Sequence, residues 1–210
     1  MNLPPVLIAT SNPGKLRDFS GAARAFGIEI APLPGIVSLP PVEEDGVTFE
    51  ANARKKAEFY SRSAPNQLVL ADDSGLEVAA LGGAPGVRSA RYASDNPIPA
   101  DAALSVDEAN NARLLRELAE VPDDYRQARF VCVLAAARDG KVLKTFEGDV
   151  RGVILRSPRG QHGFGYDPLF FVPELGRTTA ELPPEEKAHI SHRGAAFRKF
   201  LDWYQNDFGG

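Results

Sequence analysis

Cysteine, tryptophan and histidine are scarce in this chain, which has one, one and three of them among its 210 residues. The single cysteine, Cys132, excludes an internal disulfide, and its place in the hydrophobic run 130–134 predicts a buried core thiol. The histidines, at positions 162, 189 and 192, are not spaced like the helical two-histidine zinc motif. The sequence therefore indicates neither a disulfide scaffold nor a zinc centre.

The chain also lacks the runs that mark membrane or nucleic-acid partners. Its net charge is −4 and its pI is about 5.5, which argues against a broad nucleic-acid-binding face but allows a local basic pocket for a small anion. Residues 1–5 have no basic cluster and no long apolar stretch follows them, so we expect no signal peptide, no membrane span and a cytoplasmic location. A P-loop and a Gly-x-Ser-x-Gly nucleophile elbow are missing as well.

What is present has the composition of an ordinary globular domain, with 43% hydrophobic and 25% charged residues. The length is sufficient for one domain, which we place at residues 1–210. Apolar runs at 6–9 and 68–71 are typical of strands buried on both faces, and another strand is expected at 28–33. Segments 126–137 and 141–150 flank an Asp-Gly pair that suits a hairpin turn. Helices alternate with the early strands, so we expect an α/β fold with a mixed sheet flanked by helices.

The entry to the first helix combines capping groups, a glycine and a lysine. Its residues are Thr10, Ser11, Asn12, Pro13, Gly14 and Lys15. Ser11 or Asn12 can cap the helix, Pro13 suits its first turn, and Gly27 can stop it. Backbone amides and the helix dipole then meet where Lys15 adds a positive charge, which favours phosphate binding. The alternative is an ordinary helix cap with a solvated lysine.

Four more helices are predicted from caps and periodicity. Thr48 begins one of them, with Asn52 and Lys56 lying off its apolar face. An amphipathic helix is expected at 106–118, a short one at 183–188, and Ser191 caps the last helix of the chain.

Two adjacent carboxylates, Asp72 and Asp73, close the predicted strand 68–71. Neighbouring strand residues face opposite sides, so we expect one carboxylate to structure a turn and the other to face a cleft. A buried acid is costly unless it is paired or bound to a metal. Ser74 and Gly75 would let the backbone approach a phosphate closely.

An acidic loop at 43–45 supplies further carboxylates. Hard oxygen ligands without histidine or cysteine favour Mg²⁺ or Mn²⁺ over zinc. A solvated acidic loop is the alternative reading of this segment.

A large aromatic, Phe164, lies between two glycines in a predicted loop, where core packing is difficult but stacking on a base is possible. Asp167, His192 and Arg193 offer acceptors and donors for a base edge. Lys56 and Lys187 add positive charge to this set. The alternative is that each lysine only forms a salt bridge at the surface.

Taken together, six motifs resemble the inosine/xanthosine triphosphate pyrophosphatase family, also called Ham1-like. They occur in the same order as in that family and the resemblance runs from about residue 7 to about residue 201. The motifs are residues 10–15, 49–53, 71–76, 82–87, 164–168 and 191–194.

The resemblance implies an elongated mixed sheet with helices in two lobes and an active-site cleft between them. It also implies a Mg²⁺-dependent, homodimeric enzyme that cleaves ITP, dITP and XTP to the monophosphate and pyrophosphate. No nucleic-acid or membrane partner is expected.

The resemblance assigns Asp73 as general base and metal ligand. Glu44 is assigned as the second metal ligand, although the resemblance does not distinguish it from Glu43. The role of Asp72 is left open. Substrate-binding roles fall to Thr10, Ser11, Asn12, Pro13, Gly14, Lys15, Lys56, Ser74, Phe164, Gly165, Tyr166, Asp167, Lys187, His192 and Arg193. Two alternatives are a pyrophosphatase for modified pyrimidine or methylated nucleotides and a nucleotide-binding module without turnover.

Overall fold

The expected mixed sheet flanked by helices is confirmed in the structure, a computed structural model that describes residues 5–25 and 28–208. Within those residues seven strands form one sheet in the order β2-β1-β3-β4-β5-β6-β7. β1 pairs in parallel with β2 and β3, whereas β6 pairs antiparallel with β5 and β7. The strands are β1 Val6–Ile8, β2 Ile30–Pro32, β3 Val69–Val78, β4 Gln127–Arg138, β5 Lys141–Ile154, β6 Phe170–Val172 and β7 Arg177–Thr178.

The predicted caps locate the α-helices correctly. Thr48 and Ser191 each accept a hydrogen bond from a backbone N–H of the helix that follows. Ser105 was not predicted as a cap, but it forms a capping box with Glu108 at the start of the third helix. The predicted stop at Gly27 lies outside the described residues. The helices are α1 Pro13–Ala25, α2 Phe49–Ser61, α3 Val106–Glu117, α4 Pro184–Ile190 and α5 His192–Trp203.

The predicted hairpin is confirmed as β4 and β5. Asp139 and Gly140 have φ values of 52° and 79° and join the two strands, which is the backbone of a type I′ turn. β5 continues to Ile154 and is therefore longer than the predicted segment 141–150.

The strand that carries the two aspartates differs from the prediction. β3 does not end at Ala71 but runs through Asp72, Asp73 and Ser74 as far as Val78. The predicted turn is therefore wrong, and both carboxylates lie within a strand. Gly75 is required for another reason, since a Cβ there would lie 2.6 Å from the carbonyl oxygen of Gly86 and clash with Ser89.

The contacts divide the chain into two compact units. The first unit comprises residues 1–74, 132–149 and 188–210 and has a core of aliphatic and aromatic side chains. Cys132 is fully buried in this core, as predicted, and burial raises the pKa of its thiol far above the ordinary value. α1 packs against α5 in the same unit.

The second unit comprises residues 75–131 and 150–187. Its helix α3 anchors the segment after β3, because the buried side chain of Asn110 accepts from Ala93 N–H and donates to the carbonyls of Ser89 and Ala90. Tyr166 also donates its hydroxyl proton to the Ser89 carbonyl. None of the described helices is long and apolar enough to cross a membrane.

Candidate active site

Asp72 gathers three polar groups of the first unit around a single carboxylate oxygen. Its Oδ2 lies 2.9 Å from Lys15 Nζ, accepts from the Ser74 hydroxyl at 3.0 Å and lies 3.9 Å from Arg193 Nε. Asp72 is 4% exposed. Burial alone raises the pKa of this carboxyl, but the neighbouring cations, first Lys15 and then Arg193, outweigh it and hold the pKa at about 2. Asp72 is therefore an ionised anchor for two cations.

Asp73, the next residue in β3, contacts a different set of groups in the same unit. Its Oδ2 accepts from Asn52 Nδ2 at 3.0 Å, and its Oδ1 lies 3.2 Å from Lys56 Nζ. Lys56 Nζ also lies 2.7 Å from Glu44 Oε1. The two aspartates thus serve separate clusters, as the alternation of side chains along a strand requires.

The environment shifts the ionisation of Asp73 in the opposite direction to that of Asp72. Burial raises the pKa of Asp73, and Lys56 and Asn52 offset this only in part, so the pKa stays above its ordinary value. Burial lowers the pKa of Lys56, but the surrounding carboxylates, first Asp73, outweigh this and raise it overall. A carboxylate that holds its proton more readily than usual is suited to accepting one from water.

Asn52 and Lys56 were predicted to lie off the apolar face of α2, and this is wrong. They are 1% and 8% exposed, because each has a polar partner on β3. Asn52 Oδ1 also accepts from Gly46 N–H at 2.8 Å. One side chain therefore links Asp73 to the acidic loop, a connection that the sequence alone did not indicate.

The helix entry at residues 10–15 is organised mainly by its own side chains. Asn12 is the cap, because its Oδ1 accepts from Gly14 N–H at 2.8 Å and Lys15 N–H at 3.2 Å, and Thr10 Oγ1 accepts from Asn12 N–H. Ser11, Asn12 and Pro13 are exposed, whereas Gly14 is buried. The strongest link of this segment to the site is Lys15, through Asp72.

Two carboxylates in this cluster suit a divalent metal. Glu44 Oε1 and Asp73 Oδ1 contact the same ammonium nitrogen, so one cation is within reach of both. Within the described residues no group of three or more His, Cys, Asp or Glu forms a ready-made metal centre. Glu43 is exposed and Asp45 pairs with Lys55 at 2.7 Å, so Glu44 is the acid of the loop that reaches Lys56.

The predicted base-binding loop forms a separate cluster, in the second unit. Asp167 is 3% exposed, and its carboxylate accepts from the Thr179 hydroxyl at 2.8 Å, Phe164 N–H at 2.9 Å and Lys187 Nζ at 2.6 Å. Lys187 Nζ also lies 5.2 Å from the centroid of the Phe164 ring. Tyr166 is buried, whereas Phe164 and Gly165 remain partly exposed. The buried Asp167 carboxylate therefore holds the loop in place through these hydrogen bonds.

His192 and Arg193 belong to the first unit and begin α5, where both are buried. Arg193 donates to the Ser74 hydroxyl oxygen at 2.8 Å and to Asp18 at 3.2 Å. Asp18, which carried no signal in the sequence, thus helps to orient this guanidinium. The structure brings together the predicted residues of the phosphate and metal clusters in one unit, and those of the aromatic loop in the other.

Comparison with known proteins places the chain in a family. Residues 6–203 match the Ham1 family. A dITP/XTP pyrophosphatase of Acidobacterium capsulatum is 55% identical over 92% of this chain and 95% of that protein, and one of Geobacillus kaustophilus is 46% identical over 98% and 96%. The Ham1 protein structure of Staphylococcus aureus has a TM-score of 0.79 and 39% identity, covering 97% of this chain and all of that one. The chain belongs to the Ham1 family.

Proposed function

We propose that the protein hydrolyses purine nucleoside triphosphates such as ITP, dITP and XTP to the monophosphate and pyrophosphate. The observation that carries the proposal is the pair of clusters on β3, where Asp73 lies among Glu44, Lys56 and Asn52 while Asp72 holds two further cations. The names of the relatives, dITP/XTP pyrophosphatases, support the substrate class.

The cations of the first unit would neutralise the triphosphate. Asp72 holds Lys15 and Arg193, and Lys56 is held between Glu44 and Asp73. These side chains therefore lose little conformational freedom when an anion binds. Lys15 is partly exposed and lies in the first turn of α1, where the helix dipole also favours negative charge.

Asp73 would act as general base. Its pKa is raised by burial, and its two oxygens are oriented by Asn52 and Lys56. It can accept the proton of a water molecule that attacks phosphorus, while Lys15 stabilises the negative charge of the departing pyrophosphate.

The carboxylates present fit Mg²⁺, which the family resemblance implies as cofactor. Glu44 and Asp73 would hold the ion through hard oxygen donors. When bound, the metal supplies charge neutralisation to the phosphates. Asn52 would keep both ligands in register through its bonds to Gly46 and Asp73.

Base selection would depend on stacking and on hydrogen bonds to the 6-keto oxygen. Phe164 is the proposed stacking surface, and His192, Arg193 and loop amides are the proposed donors. Adenine has an amino group at that position and would leave the donors unpaired, and such a mismatch can reduce the rate by up to ~10⁴-fold.

Release of pyrophosphate from ITP, XTP, GTP, ATP and dTTP, with Mg²⁺ and with EDTA, tests the proposal. We expect Mg²⁺-dependent release from ITP and XTP, little from ATP, and loss of activity in Asp73→Asn. Preference for dTTP would favour a pyrimidine enzyme, and tight binding of ITP without release would favour a binding module. Sedimentation velocity tests the homodimer that the family resemblance implies.

A further inference from the structure

The loop that carries Phe164 is fixed from inside by one buried carboxylate. Asp167 accepts from the backbone N–H of Phe164 and from the side chains of Thr179 and Lys187, at distances of 2.6 to 2.9 Å. A Cβ at Gly163 would clash with the Asp167 carboxylate, so the chain approaches this group as closely as glycine allows. These contacts fix the loop around Asp167, but none of them involves the backbone polar groups of Gly165.

Helix α3 holds the two backbone polar groups of Gly165. Gly165 N–H donates to Asp107 Oδ2 at 2.7 Å, and Asn111 Nδ2 donates to the Gly165 carbonyl at 3.0 Å. The two side chains are four residues apart and therefore lie on one face of the helix. Gly165 has a φ of 61°, which favours glycine, and no neighbouring atom would obstruct a Cβ. Asp107 and Asn111 thus form a clamp on the backbone at this position.

The clamp leaves Phe164 partly exposed although its backbone is fixed on both sides. The neighbouring Tyr166 is 4% exposed and bonded to the Ser89 carbonyl, so the same loop buries one aromatic and presents the other. Asn111 also has a buried Oδ1 without a hydrogen-bond partner, which is an unfavourable arrangement for stability alone. Both features suggest a loop shaped for presenting the Phe164 ring.

We propose that Asp107 and Asn111 are positioning residues for recognition of the purine base, because they hold Phe164 ready to stack on it. This inference rests on the proposed function and extends it to two residues outside the motifs of the sequence. A ring that is ordered before binding loses less freedom when a base stacks on it, so the clamp strengthens binding of the base and leaves phosphate chemistry unchanged.

Steady-state kinetics with two substrates test the clamp. The substrates are ITP and ribose 5-triphosphate, which has the phosphates and the sugar but no base. For Asn111→Leu we expect KM for ITP to rise about 5- to 20-fold, which is part of the range for one stacking contact. We expect kcat for ITP, and kcat/KM for ribose 5-triphosphate, to stay within about twofold of wild type.

Three further variants separate positioning from general damage. Asp107→Leu should behave like Asn111→Leu, whereas Asp107→Asn retains an acceptor for Gly165 N–H and should restore KM. Arg116→Gln changes a residue on the same helix that pairs with Asp101 and should have no effect on KM. An equal loss for ITP and ribose 5-triphosphate, or an unchanged KM for ITP, would overturn the inference.

Failure of the proposed function has a different signature, namely no pyrophosphate release from any purine triphosphate by the wild type. In that event calorimetric binding of inosine monophosphate measures the clamp directly. Weaker binding by Asn111→Leu than by wild type would support the clamp, and equal binding would refute it.

Discussion

Replacing Asp72 with asparagine should destabilise the protein, whereas the same change at Asp73 should not. Both carboxylates are buried in β3, at 4% and 5% exposure, but folding shifts their pKa values in opposite directions. The pKa of Asp72 falls from 3.8 to about 2, because Lys15 and Arg193 outweigh burial. That difference corresponds to roughly 2 to 3 kcal/mol of stability at neutral pH.

The sign follows from the direction of each shift. A lowered carboxyl pKa stabilises the folded state above the ordinary value of 3.8, and this stabilisation is lost as the pH falls toward about 2. For Asp73 the raised pKa means that ionisation is less favourable in the folded protein than in the unfolded chain. The neutral amide in Asp73→Asn should therefore maintain or increase stability while it removes the proposed general base.

Thermal unfolding at pH 7 and at pH 3 measures both effects. At pH 7 we expect Asp72→Asn to lower the melting temperature by about 5 to 10 °C, the shift typical for a chain of this length. At pH 3 the deficit of Asp72→Asn relative to wild type should be smaller. Equal destabilisation by the two variants, or a deficit for Asp72→Asn that does not change with pH, would refute this account of the electrostatics.

Three further predictions concern single contacts. Asn52→Leu should weaken Mn²⁺ binding, measured by electron paramagnetic resonance without nucleotide, by about 10-fold or more, because supporting residues of metal sites typically have this effect; unchanged binding would contradict the linking role of Asn52. Gly75→Ala should lower the free energy of unfolding, measured with urea, by about 1 to 3 kcal/mol, because its Cβ would lie 2.6 Å from the Gly86 carbonyl oxygen. A free energy equal to that of wild type would mean that the backbone shifts to relieve this contact. Cys132 should react with a thiol reagent only at the rate of unfolding, because burial raises its pKa and excludes solvent; fast labelling of the native protein would disprove this.

Much of the fold could be predicted from the sequence because the relevant signals are local. Thr48 and Ser191 cap helices by bonding to N–H groups three residues away, and Asp139 with Gly140 adopts the positive φ values of a hairpin turn. These conformations depend on the residue itself and a few neighbours. The candidate acids and lysines could likewise be recognised by type and motif.

The tertiary structure alone decided which partner each polar side chain has. Asn52 and Asp73 are 21 residues apart, Asp107 and Gly165 are 58 apart, and Arg193 and Ser74 are 119 apart. No local pattern encodes such pairings, because they arise only when strands and helices pack and buried polar groups must find a partner. For the same reason β3 continues through two aspartates where a turn was expected: cations from α1, α2 and α5 offset the cost of burying the carboxylates.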